Sequence, residues 1–147
     1  MTRAMLVTVL YRLEGQPKTS AKNPFTDVKT DLWYTDAVVW AAENGIVDGI
    51  GDGKFDPDGK ITREQMATIL YRYAAFKELT LTEGKFAADY PDERKVSTYA
   101  LGAMRWANAE KLINGTQRGS TVYLDPQGSA TRAQVAAILM RFVQNIL

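Results

Sequence analysis

The stretch Thr62–Tyr73, with the sequence TREQMATILYRY, decides the fold class because its apolar residues recur at helical spacing. Thr62 suits the N-cap of a helix, and Gln65 stands three residues later as a capping-box partner. We therefore predict a helix over 62–77 with one buried face. The apolar positions follow the i, i+3, i+4, i+7 spacing of an amphipathic helix; they are Met66, Ile69, Leu70 and Tyr73.

The Thr-Arg pair at the start of this helix recurs, and each copy opens the same apolar pattern. Repetition at such intervals indicates that the chain is built from similar supersecondary units. The copies are separated by 60 and 69 residues and lie at Thr2-Arg3, Thr62-Arg63 and Thr131-Arg132. An arginine also recurs late in each helix, at Arg12, Arg72 and Arg141.

The segments between the Thr-Arg helices repeat as well. Their spacing grows along the chain, which places the insertions in loops, where added residues are tolerated. The matches, in chain order, are residues 37–41 (AVVWA) with 103–107 (AMRWA), Gly49 with Gly115, and residues 55–57 (FDP) with 124–126 (LDP).

A short motif before each Trp-bearing segment supplies a candidate acidic residue. Residues 25–28, FTDV, resemble residues 86–90, FAADY, with one residue inserted. This alignment makes Asp89 the counterpart of Asp27.

These patterns predict an all-α fold whose helices are joined by loops rich in Gly, Asp and Pro. Trp40 and Trp106 lie on Ala-lined faces, so each is expected to anchor a small hydrophobic lobe. Gly45 suits the left-handed position that follows a helix. The loops 46–61 and 112–130 are expected to hold turns and at most short strand bridges. Helices are predicted near 2–14, 34–44, 62–77, 98–111 and 131–146.

Composition removes several classes of function. The 147 residues include 18 Lys+Arg and 17 Asp+Glu, a formal net charge of +1, which argues against generic nucleic-acid binding. The absence of Cys and His excludes disulfides, thiolate zinc sites, Cys nucleophiles and His general bases. No apolar run is long enough to span a bilayer, so we expect no membrane insertion, and no cofactor is expected either.

Carboxylates are the remaining candidates for metal binding or acid–base chemistry. The loop that begins at Asp52 fails the EF-hand template, because Lys54 takes a ligand position and Pro57 the glycine position. Turn formation is the better interpretation of its aspartates. Asp27 and Asp31 could in principle act as a glycosidase pair, but such pairs are common in any sequence. We predict that the chain is not an enzyme.

The repeated elements are unequal in number, with three Thr-Arg helices and two Trp-bearing helices. We expect residues 1–15 to be the C-terminal half of a first repeat, 25–77 a complete second repeat and 86–147 a divergent third repeat. The chain would then be a piece of a longer protein. An apolar patch at the truncated first repeat could support self-association.

Six short motifs follow one another between Phe25 and Gln65: F-x-D-V, W-Y, A-V-x-x-A, G-I-V-x-G, G-x-F-x-P and I-T-R-E-Q. This order closely resembles the S-layer homology (SLH) domain, and the resemblance covers nearly the whole chain. The third copy departs from the pattern. Tyr99 stands where the second copy has Trp33, and residues 111–113 are KLI in place of GIV.

The resemblance implies repeated helix-loop-helix units in a pseudo-threefold arrangement around a central three-helix bundle. SLH domains anchor exported bacterial proteins non-covalently to secondary cell-wall polysaccharide, which often carries pyruvylated amino sugars. The implied partner is this anionic glycan, bound in grooves between repeats at an extracellular, S-layer-type cell surface. Carried over by position, the ligand-binding residues are Arg3, Arg63 and Arg132; Asp27 and Asp89; Trp33 and Tyr99; and Gly49 and Gly115.

The arginines of the Thr-Arg pairs are also unusual on physical grounds. They lie in the first helical turn, where the helix dipole disfavours a cation by roughly 0.3–1 kcal/mol. A site for an anion explains this placement, because an arginine and free N–H groups at a helix start can hold a carboxylate. The alternative is a structural ion pair with Asp27 or Asp89 that fastens repeats together and binds nothing. The two roles can coexist.

Two further alternatives stay open. Trp33 could stack on a sugar or pack in the core. The chain could also be a structural or protein-interaction module of a cell-envelope protein, with grooves that take a partner helix or peptide. Binding to cell walls before and after chemical removal of the polysaccharide distinguishes this role from carbohydrate anchoring.

Overall fold

The computed structural model describes all residues from 1 to 147, which divide into two compact units, 1–61 and 62–147. Each unit opens with a Thr-Arg helix and continues through a Trp-bearing helix and the loop that follows it. The compact units therefore combine the end of one sequence repeat with the beginning of the next. The repeat boundaries drawn from the sequence stay a prediction.

The first unit is built on two helices, α1 (Arg3–Leu13) and α2 (Thr35–Glu43). α1 packs on α2, and the centroids of the Tyr11 and Trp40 rings lie 5.5 Å apart at this contact. The loop after α2 contributes further apolar side chains to the core. Fully buried residues of this unit include Leu6, Leu10, Val38, Ile46, Phe55 and Ile61.

The second unit contains three helices and one small hairpin. Two single-turn 3₁₀ helices precede its middle helix, and the antiparallel hairpin precedes its last helix. The elements are α3 (Arg63–Phe76), the 3₁₀ turns Glu93–Lys95 and Thr98–Ala100, α4 (Leu101–Ala109), β1 (Thr116–Arg118), β2 (Thr121–Tyr123) and α5 (Arg132–Asn145).

Trp106 is central to the core of the second unit. Its ring centroid lies 5.4 Å from that of Tyr71 on α3 and 6.4 Å from that of Phe142 on α5. Tyr73 also contacts Phe142, at 5.9 Å. Both Trp106 and Trp40 are almost fully buried, which confirms that each anchors a hydrophobic lobe.

The helix ends follow the signals in the sequence. Thr62 and Thr131 each form a reciprocal capping box with the glutamine three residues later. Thr2 has Met5 at that position and makes only the single bond from the Met5 N–H, at 3.2 Å. Gly45 follows the C-cap of α2 with a φ of +70°. The predictions made for Thr62 with Gln65 and for Gly45 are confirmed.

The predicted fold class is confirmed. Five α-helices carry the structure, and extended backbone is limited to one hairpin and three isolated bridges. Every predicted helix is present, and its ends lie within three residues of the expected positions. The largest difference is at 98–111, where a 3₁₀ turn occupies the first three residues. None of the helices combines the length and apolar character that a membrane span requires.

We predict that Trp106→Ala lowers the free energy of unfolding of the second unit by about 3–5 kcal/mol, because it leaves a cavity between α3 and α5. The matched control is Trp33→Ala, which should change stability by less than about 0.5 kcal/mol, since Trp33 is 59% exposed. Urea unfolding followed by circular dichroism measures both. Equal losses in the two variants would contradict this assignment of the core.

Candidate functional site

Loop carbonyls cover the starts of α1 and α3. The N–H of Arg3 donates to the Gly59 carbonyl at 2.9 Å, and the next N–H donates to the Pro57 carbonyl at 3.0 Å. In the second unit the N–H of Arg63 donates to the Gly128 carbonyl at 3.0 Å, and the N–H of Glu64 donates to the Pro126 carbonyl at 3.0 Å. The prediction of free N–H groups at these two helix starts is therefore wrong, since the following loop satisfies them.

Asp27 holds that loop in the first unit. Its two carboxylate oxygens accept the consecutive backbone N–H groups of Phe55 and Asp56, each at 2.8 Å. Burial alone would raise the pKa of Asp27, but these hydrogen bonds, with Lys54 nearby, lower it below its ordinary value. The carboxylate is therefore ionised at neutral pH and fixes the loop by charge-assisted hydrogen bonds.

Asp92 does the same in the second unit. Its oxygens accept the consecutive N–H groups of Leu124 and Asp125, at 2.9 and 2.8 Å. The bonded segments are the ones that align in the sequence, residues 55–57 and 124–126. Asp92 is therefore the structural counterpart of Asp27.

The alignment that paired Asp89 with Asp27 is wrong for this reason. Asp89 is exposed and lines a separate open cleft of about 520 Å³ in the connector before α4. Phe86 resembles the aromatic residue of the first motif, but Tyr90 takes the place of Phe25. The residues added in the third repeat therefore lie before Tyr90, and not between the aromatic residue and the aspartate of the motif.

Gly49 and Gly115 have a structural reason to be glycine. Both are left-handed, with φ values of +85° and +87°. A Cβ on Gly49 would lie 2.5 Å from the Lys54 carbonyl oxygen and 2.7 Å from the Phe25 ring. A Cβ on Gly115 would lie 3.3 Å from the Tyr90 ring, which supports the pairing of Tyr90 with Phe25. Each glycine lets an aromatic ring pack directly on the backbone.

Arg3 is buried and fastens the same loop from the other side. Its Nε donates to the Phe55 carbonyl at 2.8 Å, and its guanidinium carbon lies 4.8 Å from the centre of the Phe55 ring. The backbone N–H of Phe55 thus donates to Asp27, and the backbone C=O of Phe55 accepts from Arg3. Arg3 therefore has a structural role, as in the predicted alternative to ligand binding, and it fulfils this role by bonding the Phe55 backbone carbonyl.

Arg63 is also buried, but its partners are side chains. Its Nη1 lies 3.1 Å from Asp125 Oδ2, and its Nη2 donates to Gln134 Oε1 at 2.9 Å. The ion pair expected with Asp27 or Asp89 thus forms with Asp125. These two bonds use two of the five N–H donors of a guanidinium group, which leaves three for another acceptor.

A cleft of about 200 Å³ opens beside Arg63 in the second unit. Its walls are the start of α3, residues 112–116 and the side of α5 that carries Gln134 and Arg141. Gly115 is part of this lining, so the structure brings two predicted site residues together. We call this space the Arg63 cleft. Its lining includes two arginines and no carboxylate, and the carboxylate that pairs with Arg63, that of Asp125, lies outside the lining.

Arg132 lies in a different environment from Arg3 and Arg63. It is exposed at the start of α5, and no loop carbonyl accepts its N–H. Arg132 is therefore not buried beside its helix start as Arg3 and Arg63 are. Arg3 and Arg63 are buried because a loop covers the start of the helix that carries each of them.

The aromatic residues predicted for the site are both on the surface. Trp33 is 59% exposed and Tyr99 is 57% exposed, which excludes core packing for either ring. Trp33 meets Tyr34 edge-on, with centroids 5.0 Å apart. The turn that carries Tyr99 is held at the start of α3, because the Ser97 N–H and hydroxyl donate to the Glu64 carboxylate at 2.9 and 2.7 Å.

A family model described as "S-layer homology domain" matches residues 24–67 and 89–136. The chain belongs to the S-layer homology family. The two SLH matches begin 65 residues apart, which is the interval that pairs Asp27 with Asp92. Each match also includes a Thr-Arg helix start, at Arg63 and at Arg132.

Several curated proteins contain a similar segment. The chain is 34% identical over 139 residues to an endoglucanase of Bacillus sp. (strain KSM-635) and 32% identical over 123 residues to the surface-layer 125 kDa protein of Lysinibacillus sphaericus. It is 35% identical over 77 residues to a cellulosome-anchoring protein of Acetivibrio thermocellus. These matches cover 95%, 83% and 50% of the chain but 14%, 10% and 17% of the relatives.

The SLH assignment and the surface-layer relatives indicate an extracellular location at the cell surface, as part of a larger protein. The chain spans less than a fifth of each of these relatives. The enzyme name of one of these relatives is therefore no evidence that this SLH segment is catalytic.

Three residues that hold the loop or surround the Arg63 cleft were not predicted as site residues, although each had a signal in the sequence. Asp92 follows Tyr90 by two residues, as Asp27 follows Phe25. Asp125 lies in the LDP segment that aligns with FDP. Arg141 is one of the arginines that recur late in the Thr-Arg helices. The repeats in the sequence mark all three residues, but only the three-dimensional contacts show which groups each residue bonds or which cleft it lines.

We predict that Asp27→Asn lowers the free energy of unfolding by about 1–2 kcal/mol at pH 7, because it weakens two charge-assisted hydrogen bonds. Since the pKa of Asp27 is lowered by folding, its contribution is complete above the unfolded pKa. That contribution is lost as the pH falls through the folded pKa. The difference between variant and parent should therefore shrink on acidification.

Asp31→Asn is the matched control, because it makes the same charge change at an exposed residue. Urea unfolding at a series of pH values between neutrality and about pH 3 measures the effect. If Asp27→Asn and Asp31→Asn gave the same pH profile, the carboxylate clamp on the loop would be refuted.

Proposed function

We propose that this chain is a non-catalytic carbohydrate-binding module that anchors a surface protein to an anionic, pyruvylated secondary cell-wall polysaccharide. The single observation that carries the proposal is the Arg63 cleft. Membership of the SLH family and the anchoring named for one relative support the coarser part, attachment to the cell surface. The charge and shape of the cleft support the finer part, the nature of the glycan.

The charge of the Arg63 cleft favours a carboxylate ligand. Arg63 and Arg141 both line it, and no acidic side chain does. Arg63 retains three N–H donors after its bonds to Asp125 and Gln134. A pyruvyl ketal on a sugar presents one carboxylate, which a guanidinium group can bind through two parallel hydrogen bonds.

The size of the Arg63 cleft favours a single sugar residue. Its volume of about 200 Å³ is smaller than the roughly 300–1,000 Å³ of pockets for drug-sized ligands. Ala137 and Ile138 form an apolar part of its wall, against which the carbon face of a sugar ring can pack. We therefore infer that it takes one modified amino sugar of the polymer.

The exposed aromatic residues provide additional contacts in this proposal. Trp33 and Tyr99 each project a ring into solvent near the beginning of a Trp-bearing helix. A flat ring can stack on the apolar face of a sugar while its polar edge hydrogen-bonds. In the first unit Gly49 lies beside the loop that Arg3 and Asp27 hold, so these residues shape that surface. Arg132 remains a predicted contact.

Repetition compensates for weak single contacts. One charge-assisted hydrogen bond contributes roughly 1.5–3 kcal/mol, which is too little for a firm anchor. A polymer that meets several such contacts on one chain binds more tightly through effective concentration. Anchoring by avidity suits a repeated module and a repetitive glycan.

We predict that Arg63→Ala weakens binding to purified cell-wall polysaccharide by roughly tenfold or more, because the loss of one charge-assisted contact corresponds to about one factor of ten per 1.4 kcal/mol. Combining it with Arg132→Ala should abolish pull-down. Binding is measured by sedimentation with wall polysaccharide, and circular dichroism confirms that helical content persists.

The matched control is Arg118→Ala. Arg118 also bonds Asp125 Oδ2, at 3.0 Å, but it does not line the Arg63 cleft. This control removes a partner of Asp125 without removing a cleft donor, so its binding should match the parent chain. Unchanged binding of the Arg63 variant, or retained binding to walls stripped of polysaccharide, would favour a protein-interaction module instead.

A further inference from the structure

Two Asn-Gly pairs occur in the chain, Asn44-Gly45 and Asn114-Gly115. Asparagine is among the chemically labile residues of proteins. A following glycine favours its deamidation, because no Cβ obstructs the backbone nitrogen that attacks the side-chain amide. Both asparagines are exposed to water. Differences in hydrogen bonding should therefore decide which pair reacts first.

The first pair is held by hydrogen bonds at the C-terminal end of α2. Asn44 Nδ2 donates to the Trp40 carbonyl at 2.8 Å, which restrains the amide that would be attacked. The Gly45 N–H donates to the Ala42 carbonyl at 3.2 Å, which occupies the attacking nitrogen. Both reacting groups must leave these bonds before they can meet.

The second pair lacks both restraints. No residue accepts the Gly115 N–H, and the Asn114 side chain makes no hydrogen bond within the chain. Asn114 also lines the Arg63 cleft, together with Gly115, Arg63 and Arg141. A change of charge at Asn114 would therefore alter the cleft directly.

The corresponding residue of the first unit indicates that a carboxylate fits this backbone position. Gly49 pairs with Gly115, so Asp48 is the counterpart of Asn114. Both residues are exposed, and both precede a left-handed glycine. Replacement of Asn114 by aspartate is therefore expected to leave the fold intact.

We propose that Asn114 is a site of spontaneous deamidation, and that its product places a carboxylate in the Arg63 cleft and so releases the anionic glycan. The release rests on the proposed function; the chemical step does not. The Gly115 nitrogen loses its proton and forms a bond to Asn114 Cγ. The side-chain nitrogen takes up a proton and leaves as ammonia, which breaks the Cγ–Nδ2 bond. Water then adds across one C–N bond of the succinimide ring, which gives aspartate or isoaspartate.

The new carboxylate acts as an internal competitor of the ligand. No other acidic residue lines the cleft, so Arg63 and Arg141 attract this group as they attract the carboxylate of a glycan. Because hydrolysis of an amide does not reverse in water, the change is permanent. Deamidation thus limits the time for which one copy of the chain holds the polymer through this cleft.

The chemical step is tested by incubating the full chain in mildly alkaline buffer, which favours deprotonation of the Gly115 nitrogen. Peptide mass spectrometry then detects the exchange of an amide for a carboxyl group and separates aspartate from isoaspartate. We expect Asn114 to react at least roughly tenfold faster than Asn44, because two hydrogen bonds restrain the Asn44-Gly45 pair. Asn44 is an internal control, since it is also exposed and also precedes glycine.

Variants of the chain test the effect on the cleft. Asn114→Asp should weaken sedimentation with wall polysaccharide by roughly tenfold or more, because its carboxylate competes for Arg63 and Arg141. Asn114→Gln keeps a neutral amide whose attack would close a larger ring, so it should bind like the parent chain before and after incubation. Gln117→Glu is the matched control, since it makes the same exchange of amide for carboxylate at an exposed residue outside the cleft lining.

Each half of the proposal has an outcome that would overturn it. Equal reaction rates at Asn114 and Asn44, or no reaction at Asn114, would refute the modification site. Equal polysaccharide binding by Asn114→Asp and Gln117→Glu would refute the release. A parent chain that binds no polysaccharide would refute the proposed function and the release with it, while the mass measurement would still decide the modification.

Discussion

A carboxylate that accepts two consecutive backbone N–H groups is the interaction on which the rest of each unit depends. Asp27 holds residues 55 and 56 in this way, and Asp92 holds residues 124 and 125. Once the loop is fixed, its carbonyls reach the first N–H groups of a Thr-Arg helix. Helix start, loop and arginine thus form one connected arrangement, although they are far apart in sequence.

Helices, caps and core tryptophans could be predicted because their determinants are local. The spacing of Met66, Ile69 and Leu70 defines a helix face without knowledge of its partner. The capping boxes at Thr62 and Thr131 are likewise contained in four residues. Trp40 and Trp106 could be assigned to the core because they lie on the Ala-lined side of a predicted helix.

The site could be predicted only in part because its contacts join distant segments. The three arginines of the Thr-Arg pairs look alike in sequence, yet Arg3 bonds a backbone carbonyl, Arg63 bonds Asp125 and Arg132 is exposed. Which environment each one meets depends on the loop that follows one repeat later. Asp89 was predicted in place of Asp92 for the same reason. The similar local motif FAAD lies just before the segment whose side chain makes the loop contacts.

The Arg63 side chain has a structural role, and the proposed function adds a binding role. It fastens the start of α3 to Asp125 and Gln134, and it also lines the Arg63 cleft. A crystal soaked with a pyruvylated amino-sugar fragment tests this claim most directly. The account predicts density in the cleft with the pyruvyl carboxylate within hydrogen-bond distance of the Arg63 guanidinium. Density for the sugar elsewhere at saturating concentration, with the cleft empty, would contradict it.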